Sequence, residues 1–345
     1  MINTLNRLSP APIRTIVSSL DWVKEEFCHV GDSAEALKGK ISGDSKVKLF
    51  LTDPPYNIGH KYGNVSDRLK KDDYQLMIKN VLKSSYEVGD DSSHFFMIHY
   101  PEKIAEMWPM ITQETGWKFK QWITWVYPSN IGMSNKAWTR ASRTVLWLVK
   151  DEGGAPTFHP NRIIRSYRNP WDKRVAQLIR DGKGGCSLYD WWEINLTKNV
   201  NKEKSDYSNQ IPQTLLKRVI RSTTDVGDIV ADPFAGTFST VKAALATGRF
   251  GWGCDLNDET VKYWPENSDF RSDYEEEEYS VDLQEQFDVV RANISNKSLN
   301  RLIRRACEND MLPPSQKKWT LRELDYIEDK DEEEKKRENP SLNDW

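Results

Sequence analysis

Apolar residues occur along the chain in short runs that alternate with amphipathic segments. The runs are rich in branched and aromatic residues and therefore indicate strands, at Phe27–Val30, Val47–Leu51, Ser93–His99, Trp122–Val126, Ser142–Val149, Ile229–Ala231 and Phe250–Cys254. The segments between them have helical periodicity, at Ala34–Lys38, Leu76–Leu82, Lys103–Thr112, Pro212–Ser222 and Val241–Thr247. This alternation predicts an α/β fold with a Rossmann-like, doubly wound, mainly parallel sheet covered by helices on both faces.

The alternation fails between residues 151 and 208, where glycines interrupt the pattern. We expect a loop-rich subdomain there rather than another strand-helix-strand unit. The predicted boundaries are an N-terminal lead-in at 1–26, two halves of one domain at 27–150 and 209–264, the insert at 151–208, and an acidic, helical C-terminal extension at 265–345.

Charge is divided unevenly along the chain. Residues 263–345 hold 13 Lys and Arg against 22 Asp and Glu, so this tail carries −9, and the remainder of a chain of net charge −3 carries +6. Residues 155–205 hold 10 Lys and Arg against 5 Asp and Glu, interleaved with the aromatic residues Phe158, Tyr167, Trp171, Tyr189, Trp191 and Trp192. Such a mixture suits contact with a polyanion and its bases, although a solvated insert has the same composition.

Several classes of protein are disfavoured by the composition. The four cysteines form no C-x-x-C pair and the five histidines show no metal-ligand spacing, so we expect no metal site. We find no apolar run of about 18 residues and no export signal, so we expect a cytoplasmic protein without membrane association. The hydrophobic content of 38%, with 14 Trp, is sufficient for a sizeable core.

A rigid turn follows the strand Val47–Leu51, with the sequence Thr52-Asp53-Pro54-Pro55-Tyr56-Asn57. Two consecutive prolines cannot continue a strand, and open α/β sheets bind their ligands at the carboxyl ends of strands. Asp53 offers a carboxylate, Pro54 a carbonyl and Tyr56 a flat ring. Together they suit a planar NH2 group on a heterocycle that stacks on the ring. A surface Pro-Pro turn is the alternative.

Two further segments admit two interpretations each. Asp32 or Ser33 follows the first strand and is predicted to cap the next helix, although a carboxylate at this junction equally faces a bound ligand. The polar segment 58–71 has no periodic apolar face and is predicted to be a loop. It either closes over a ligand or is an ordinary surface loop.

A second candidate site follows the strand Ile229–Ala231. A turn of small residues, 232–240, leads into a helix, and Asp255 ends the next strand, which is the layout of a nucleotide-binding half-domain. The backbone N–H groups of the turn are predicted to hold a carboxylate or phosphate, and Asp255 to accept ribose hydroxyls. The chain has neither a G-x-G-x-x-G fingerprint nor a Walker lysine motif.

These two motifs, in this order, carry a resemblance. Asp53-Pro54-Pro55-Tyr56 followed by Asp232-Pro233-Phe234-Ala235-Gly236 resembles the permuted, β-group DNA amino-methyltransferases, which use S-adenosylmethionine. The resemblance covers about 28–263 and implies a circularly permuted methyltransferase fold in which 151–208 is a target-recognition insert. It also implies that a base of double-stranded DNA is flipped out into the pocket.

The resemblance implies a role for individual residues. The catalytic residues are Asp53, Pro54, Pro55 and Tyr56. Tyr56 stacks on the base while Asp53 and the Pro54 carbonyl accept the hydrogens of its amino group. The cofactor-binding residues are Asp32, Asp53, Gln210, Asp232, Phe234, Ala235, Gly236, Thr237, Ser239, Thr240, Asp255 and Asn257.

The chain departs from the family pattern at three places. Phe238 replaces a glycine of the cofactor turn, and its side chain is expected to narrow the pocket or to require another loop conformation. Ile211 replaces a lysine, and Tyr207-Ser208 replaces His-Pro. These departures leave open a relative that binds DNA without catalysis.

Substrate and partners are predicted less directly. Asp at position 53 is typical of adenine-N6 enzymes, whereas cytosine-N4 enzymes mostly have Ser there, so we expect adenine. An amino-methyltransferase of RNA or protein is the further alternative. Candidate helices at 302–307 and 321–327 leave a homodimer open, and a cognate restriction enzyme is a further candidate partner.

Overall fold

The computed structural model describes twelve segments of the chain. They are 27–41, 46–59, 61–62, 65–128, 136–152, 155–165, 167–169, 171–181, 185–197, 210–225, 228–247 and 249–264. The predicted lead-in at 1–26, the extension at 265–345 and the substituted pair Tyr207-Ser208 lie outside the described residues. The chain divides into one compact unit of residues 1–159 and 189–271 and another of residues 160–188 and 272–345.

The described strands and helices are numbered in chain order. The strands are β1 (Cys28–Val30), β2 (Val47–Thr52), β3 (Lys61–Tyr62), β4 (Val65–Ser66), β5 (Gly89–His99), β6 (Lys118–Val126), β7 (Ser142–Val149), β8 (Ile164–Arg165), β9 (Cys186–Ser187), β10 (Trp191–Glu193), β11 (Ile229–Asp232) and β12 (Phe250–Asp255). The α-helices are α1 (Ser33–Lys40), α2 (Lys71–Val88), α3 (Pro101–Glu114), α4 (Lys173–Arg180), α5 (Gln213–Thr223) and α6 (Ser239–Ala246). Short 3₁₀ helices occupy Pro160–Arg162 and Asp258–Tyr263.

The larger unit is built on an eight-stranded sheet of order β1-β12-β11-β2-β5-β7-β6-β10. All neighbours are parallel except β7, which is antiparallel to both β5 and β6. The prediction of an α/β fold with a mainly parallel sheet is therefore confirmed. Because β2 and β11 are adjacent and parallel, the turns that follow them lie at one edge of the sheet.

The helices bury most of the apolar positions that predicted them, and Leu76 of α2 is an exception because it is exposed. In α2 the buried side chains include Ile78, Val81 and Leu82 at helical spacing. Helix α1 begins after Asp32, whose carboxylate accepts from the backbone N–H groups of Ala34 at 2.9 Å and Glu35 at 3.1 Å. The predicted cap is therefore confirmed.

Two elements differ from the sequence-based expectation. The segment 58–71, predicted as a loop, contains the short antiparallel pair β3–β4. Strand β10 lies within the predicted insert 151–208 yet pairs in parallel with β6 at the edge of the main sheet. Burial alternates along this strand, but it is only three residues long and its sequence, Trp-Trp-Glu, does not alternate between apolar and polar residues, so periodicity does not identify it.

The described part of the smaller unit belongs to Pro160–Leu188. Strands β8 and β9 pair in antiparallel register there, and α4 is capped by Asp172, which accepts from the N–H groups of Arg174 and Val175. The predicted domain boundaries remain predictions. Within the described residues, no helix combines the length and apolar character needed to cross a membrane.

Candidate active site

The turns after β2 and β11 are joined directly, although they are far apart in sequence. Thr52, the last residue of β2, donates its hydroxyl to Asp232 Oδ1 at 2.6 Å. Thr240, at the start of α6, donates to the Leu51 carbonyl at 3.3 Å. These bonds bring the Asp53 turn and the turn at 232–240 to the same edge of the sheet.

Asp53 lies in a nearly closed environment beside an aromatic hydroxyl and a cation. Tyr56 donates its hydroxyl to Asp53 Oδ1 at 2.5 Å, and Arg143 Nη1 lies 4.0 Å from Asp53 Oδ2. Burial raises the pKa of Asp53 to about 7, against the opposing effects of Arg143 and the Tyr56 hydrogen bond. This carboxyl therefore changes charge near neutral pH.

Tyr56 is 1% exposed, which changes the interpretation of its predicted role. Its ring centroid lies 4.6 Å from that of Tyr100 and 5.1 Å from that of His99, and the Arg143 guanidinium lies 4.9 Å from it. In this structure Tyr56 therefore has neighbours around its ring and binds Asp53 through its hydroxyl. Stacking on a base requires it to move.

A chain of hydrogen bonds supports the proline turn from α2 and β5. Tyr74 donates its hydroxyl to the Pro55 carbonyl at 2.8 Å and lies 2.6 Å from His99 Nε2. The backbone N–H of Tyr100 donates to His99 Nδ1 at 2.7 Å. Since burial lowers the pKa of His99 to about 3, the ring is neutral. Its proton is therefore on Nε2, which donates to Tyr74.

The segment after the turn is closed at its base by one side chain. Asn57 accepts from the Leu69 N–H at 2.8 Å and donates to the Leu69 carbonyl at 3.1 Å. Asp67 Oδ2 accepts from the Ile58 N–H at 3.2 Å. Asn57 itself has φ 54°, a left-handed conformation that Asn tolerates better than most residues. The two ends of this segment are thereby held together.

The turn at 232–240 uses its backbone N–H groups internally, contrary to the prediction that they bind an anion. Phe234 N–H donates to Asp232 Oδ1, and Ala235 N–H donates to the Cys254 carbonyl. Gly236 N–H donates to Asp255 Oδ2 at 2.9 Å, and Phe238 N–H to the Ala235 carbonyl at 2.7 Å. These four donors are satisfied by the protein, so the prediction is wrong for them.

Carboxylates and hydroxyls provide the remaining polar groups of this turn. Asp255 Oδ1 also accepts from the Asn257 N–H at 2.9 Å. The hydroxyls of Thr237 and Ser239 lie 2.8 Å apart and form one polar surface. Burial raises the pKa of Asp232 to about 6, opposed first by the hydrogen bond from Thr52, and burial also raises the pKa of Asp255.

Phe238 does not narrow the pocket. It has φ 55°, the left-handed conformation that a glycine would take, and its side chain is fully buried in the core. The ring packs edge-on against Trp264 at 5.2 Å. A Cβ atom on Gly253 would come within 2.8 Å of the Phe238 ring. The absence of a side chain at Gly253 therefore provides the space that the ring occupies. The expectation of a narrowed pocket is therefore wrong, and the expectation of another loop conformation stays a prediction.

A cavity of about 350 Å³ connects the two turns. Its walls include the predicted residues Asp32, Asp53, Pro55, Gln210, Asp232, Phe234, Ala235, Gly236, Thr237, Ser239, Thr240, Asp255 and Asn257. Ile211, which stands in place of the family's lysine, also lines it. Pro54 and Tyr56 are buried and do not belong to the lining.

The cavity is acidic. Five carboxylates line it, from Asp32, Asp53, Asp67, Asp232 and Asp255, and its described lining contains no Lys, Arg or His. Asp67 is 5% exposed, and its Oδ1 has no hydrogen-bond partner among the described residues. Nor does the described part of the chain contain a cluster of acidic, His or Cys side chains suited to a metal ion.

Sequence reasoning missed two of these polar residues and much of the apolar wall. Asp67 lies in a polar segment, where a single acid carries no signal. Arg143 is a lone cation within an apolar strand, which is the one signal that distinguishes it. The apolar wall from α2, β5 and α5 has the periodicity of ordinary core residues: Met77, Val81, Ile98 and Leu216.

The comparison with protein families decides the assignment. The model of the N6/N4 DNA methylase family matches residues 47–266, which contain both turns and the strands between them. The chain belongs to the N6/N4 DNA methylase family. This DNA methylase is therefore an enzyme that methylates DNA, with an amino nitrogen as the acceptor.

Curated relatives and solved structures are consistent with this family. The DNA methylase is 27% identical to the type II methyltransferase M.HpaI of Haemophilus parainfluenzae over 226 residues, 66% of this chain and 69% of the relative. It is 29% identical to the DNA adenine methyltransferase YhdJ of Escherichia coli K12 over 257 residues, 72% and 84% of the two chains.

Two solved structures share the fold of this DNA methylase. The cytosine-N4-specific PvuII DNA methyltransferase matches with a TM-score of 0.54 and 16% identity, covering 74% of this chain and 92% of that one. The M1.HpyAVI–SAM complex matches with a TM-score of 0.51 and 18% identity, covering 69% and 96%. At these identities the likeness concerns the fold alone, and it agrees with the predicted α/β class.

Proposed function

We propose that this DNA methylase is a sequence-specific, adenine-N6 methyltransferase of the permuted group, with double-stranded DNA as its substrate. The observation that carries the proposal is the hydrogen bond from Thr52 to Asp232. It joins the Asp53 turn, which suits an aromatic amine, to the turn that suits a nucleoside cofactor. The order of the two turns in the chain is that of the permuted group.

The cavity residues fit S-adenosylmethionine. The sulfonium and ammonium groups of this cofactor are cationic, and five carboxylates with no basic side chain among the described lining favour such a ligand. Asp255 and Asn257 would hold the ribose end of the cofactor, and Asp32 would lie toward its adenine. The hydroxyls of Thr237 and Ser239 bond to each other, and the one O–H that this bond leaves free would donate to the methionine carboxylate. When bound, the cofactor supplies a methyl group from its sulfonium.

The protein's part in the transfer is to bind, orient and exclude water. Asp53 and the Pro54 carbonyl accept the two hydrogens of the adenine amino group, which leaves the nitrogen lone pair directed toward the methyl group. Positive charge develops on that nitrogen during transfer, and the Asp53 carboxylate stabilises it in a site of low dielectric. The new N–C bond would form as the methyl–sulfur bond breaks and its electron pair remains on sulfur, and the surplus proton would then leave the nitrogen toward Asp53.

Base flipping requires a rearrangement at Tyr56. Its ring leaves the contacts with His99 and Tyr100, or these rings separate, so that one face receives the flipped adenine. The hydroxyl then releases Asp53, which frees an acceptor for the amino group. Entry of the base and release of this acceptor are therefore one event.

Several features support the choice of adenine and of a duplex. An acid at position 53 is typical of adenine enzymes, and YhdJ is named an adenine methyltransferase. The basic body of the chain and its target-recognition insert at 151–208 supply contacts to phosphates and bases. M.HpaI and M.BglII are type II methyltransferases, which suggests a cognate restriction enzyme as a partner. Self-association as a homodimer remains a prediction.

Tritiated methyl transfer from S-adenosylmethionine to unmethylated genomic DNA, followed by nucleoside analysis and sequencing, tests the proposal. We expect label in N6-methyladenine at one short motif. Asp53→Ala should reduce transfer by about three orders of magnitude with DNA binding retained. Label in N4-methylcytosine would correct the base, and label only in RNA or protein would correct the substrate. Full activity of Asp53→Ala would overturn the mechanism.

A further inference from the structure

A buried cation lies behind the catalytic turn on the antiparallel strand β7. Arg143 is 5% exposed, and its Nη1 lies 4.0 Å from Asp53 Oδ2. Its Nε has no hydrogen-bond partner among the described residues. A buried guanidinium is costly unless its charge is compensated, so its position beside a catalytic acid requires an explanation.

Aromatic rings surround this guanidinium. Its carbon lies 4.9 Å from the ring centroid of Tyr56, 5.3 Å from Trp125, 5.8 Å from Tyr127 and 5.9 Å from Tyr100. The faces of such rings attract cations and exclude water, which strengthens the interaction of Arg143 with a neighbouring carboxylate. Trp125 and Tyr127 contact the guanidinium independently of the Tyr56–Tyr100 contact, so these two rings remain when that contact opens to receive a base.

We propose that Arg143 is a positioning residue that keeps the Asp53 carboxylate charged and directed at the amino group of the base. This inference rests on the proposed function, because it assigns Arg143 a part in that reaction. The groups that face Asp53 are the Arg143 cation, the Tyr56 hydroxyl and the Asp232 carboxyl. Arg143 is the cation among them. It lowers the pKa of Asp53, whereas burial and the neighbouring Asp232 carboxyl raise it.

The consequence for catalysis follows from the charge that develops on the nitrogen. A neutral Asp53 carboxyl still offers an oxygen to one N–H group, but it does not stabilise a growing positive charge. Without Arg143, burial holds the carboxyl protonated at neutral pH, and the enzyme needs a more alkaline solution to become active. A purely structural role for Arg143 has no such dependence on pH.

The test compares wild type with Arg143→Met, which removes the charge, and Arg143→Lys, which retains it. Lys120→Met, at an exposed position of the adjacent strand β6, is the matched control for loss of a cation. The Asp53 carboxyl is titrated by NMR after ¹³C labelling of aspartate side chains, and its signal is identified by its loss in Asp53→Asn. Single-turnover methyl transfer to duplex DNA is measured over the same pH range.

In Arg143→Met we expect the titration of Asp53 and the acid limb of the rate profile to move upward by at least about one pH unit. Transfer near pH 7 should fall about tenfold and recover in alkali. Arg143→Lys, which keeps the charge but not the planar group among the rings, should shift both profiles less than Arg143→Met, and the Lys120→Met control should stay close to wild type. An unmoved Asp53 titration, or an equal loss of rate at every pH, overturns the inference.

If Arg143→Met does not fold, Arg143→Gln undergoes the same two measurements and the same outcomes apply. A wild type that transfers no methyl group to DNA refutes the proposed function instead, and the titration still decides the role of Arg143.

Discussion

Individual residues of this site are stabilised against their usual chemical preferences. Asp53 is a buried acid whose pKa is raised to about 7, and Asp232 is a second whose pKa is raised to about 6. Phe238 takes a backbone conformation that favours glycine. Neighbours that are distant in sequence help to compensate each of them: Arg143 for Asp53, Thr52 for Asp232 and Gly253 for Phe238.

The raised pKa of Asp53 makes stability depend on pH. The unfolded carboxyl ionises near pH 4 and the folded one near pH 7, so the folded state binds the additional proton between these values. Stability from this group is therefore present below about pH 4 and is lost as the pH rises toward 7. We expect the free energy of unfolding of wild type, relative to Asp53→Asn, to fall by about 4 kcal/mol between pH 4 and pH 8.

Urea denaturation of both proteins at several pH values measures this difference. Asp72 is an exposed acid in the first turn of α2, and Asp72→Asn is the control. The free energy of unfolding of wild type relative to Asp72→Asn should show no comparable change with pH. Parallel pH profiles for wild type and Asp53→Asn would contradict the raised pKa.

Phe238 should serve stability and not cofactor binding. In Phe238→Gly the left-handed conformation is retained but a buried ring is lost, so we expect a loss of about 2–4 kcal/mol of stability. Affinity for S-adenosylmethionine should change less than about twofold, since the ring does not line the cavity. Phe234→Ala, at a position that does line it, should show the reverse pattern in calorimetry and thermal denaturation. A large loss of affinity in Phe238→Gly at unchanged stability would contradict this assignment.

At the scale of elements, the segment after the catalytic turn is closed at its base by Asn57. Its two hydrogen bonds to Leu69 and its left-handed φ of 54° each help to hold the two ends of this segment together. Asn57→Gly keeps the conformation and removes the bonds, and Asn57→Ala removes both. We expect Asn57→Gly to increase amide exchange of Leu69 by about tenfold and Asn57→Ala to increase it further by up to about tenfold.

Amide exchange by mass spectrometry measures this closure, with the core strand β2 as the internal reference. Methyl transfer should fall in the same order, because Asp67, whose carboxylate also binds the segment at Ile58, lines the cofactor cavity. Equal exchange in both variants would show that the backbone conformation contributes nothing.

At the scale of the whole molecule, the fold was predictable where periodicity is strong, and the site only in part. Strand-helix alternation predicts the sheet, and the two motifs predict most of the cavity wall. Burial of Tyr56 depends on His99 and Tyr100, which no local pattern places beside it. The fit of Phe238 likewise depends on Gly253. Such long-range compensation is invisible to reasoning from segments, and Arg143 is missed for the same reason.

The parts of the molecule proposed to contact DNA and to bind the cofactor carry charges of opposite sign. A basic body suits DNA, whereas the cavity proposed to hold the cofactor is lined by five acids and therefore favours cations. Transfer of the methyl group removes the sulfonium charge, and S-adenosylhomocysteine therefore loses part of this attraction.

Removal of one cavity charge should weaken the discrimination between these two ligands. Asp67→Asn retains an acceptor for the Ile58 N–H while the charge is lost, so the loop contact is preserved. We expect the ratio of affinities for S-adenosylmethionine and S-adenosylhomocysteine to fall by about two- to fivefold at low salt, and less at high salt. Calorimetry with both ligands measures the ratio, and the exposed Asp72→Asn should leave it unchanged. If Asp67→Asn lowers the affinity for both ligands by the same factor, Asp67 acts through packing. The charge of the cavity then does not distinguish S-adenosylmethionine from S-adenosylhomocysteine.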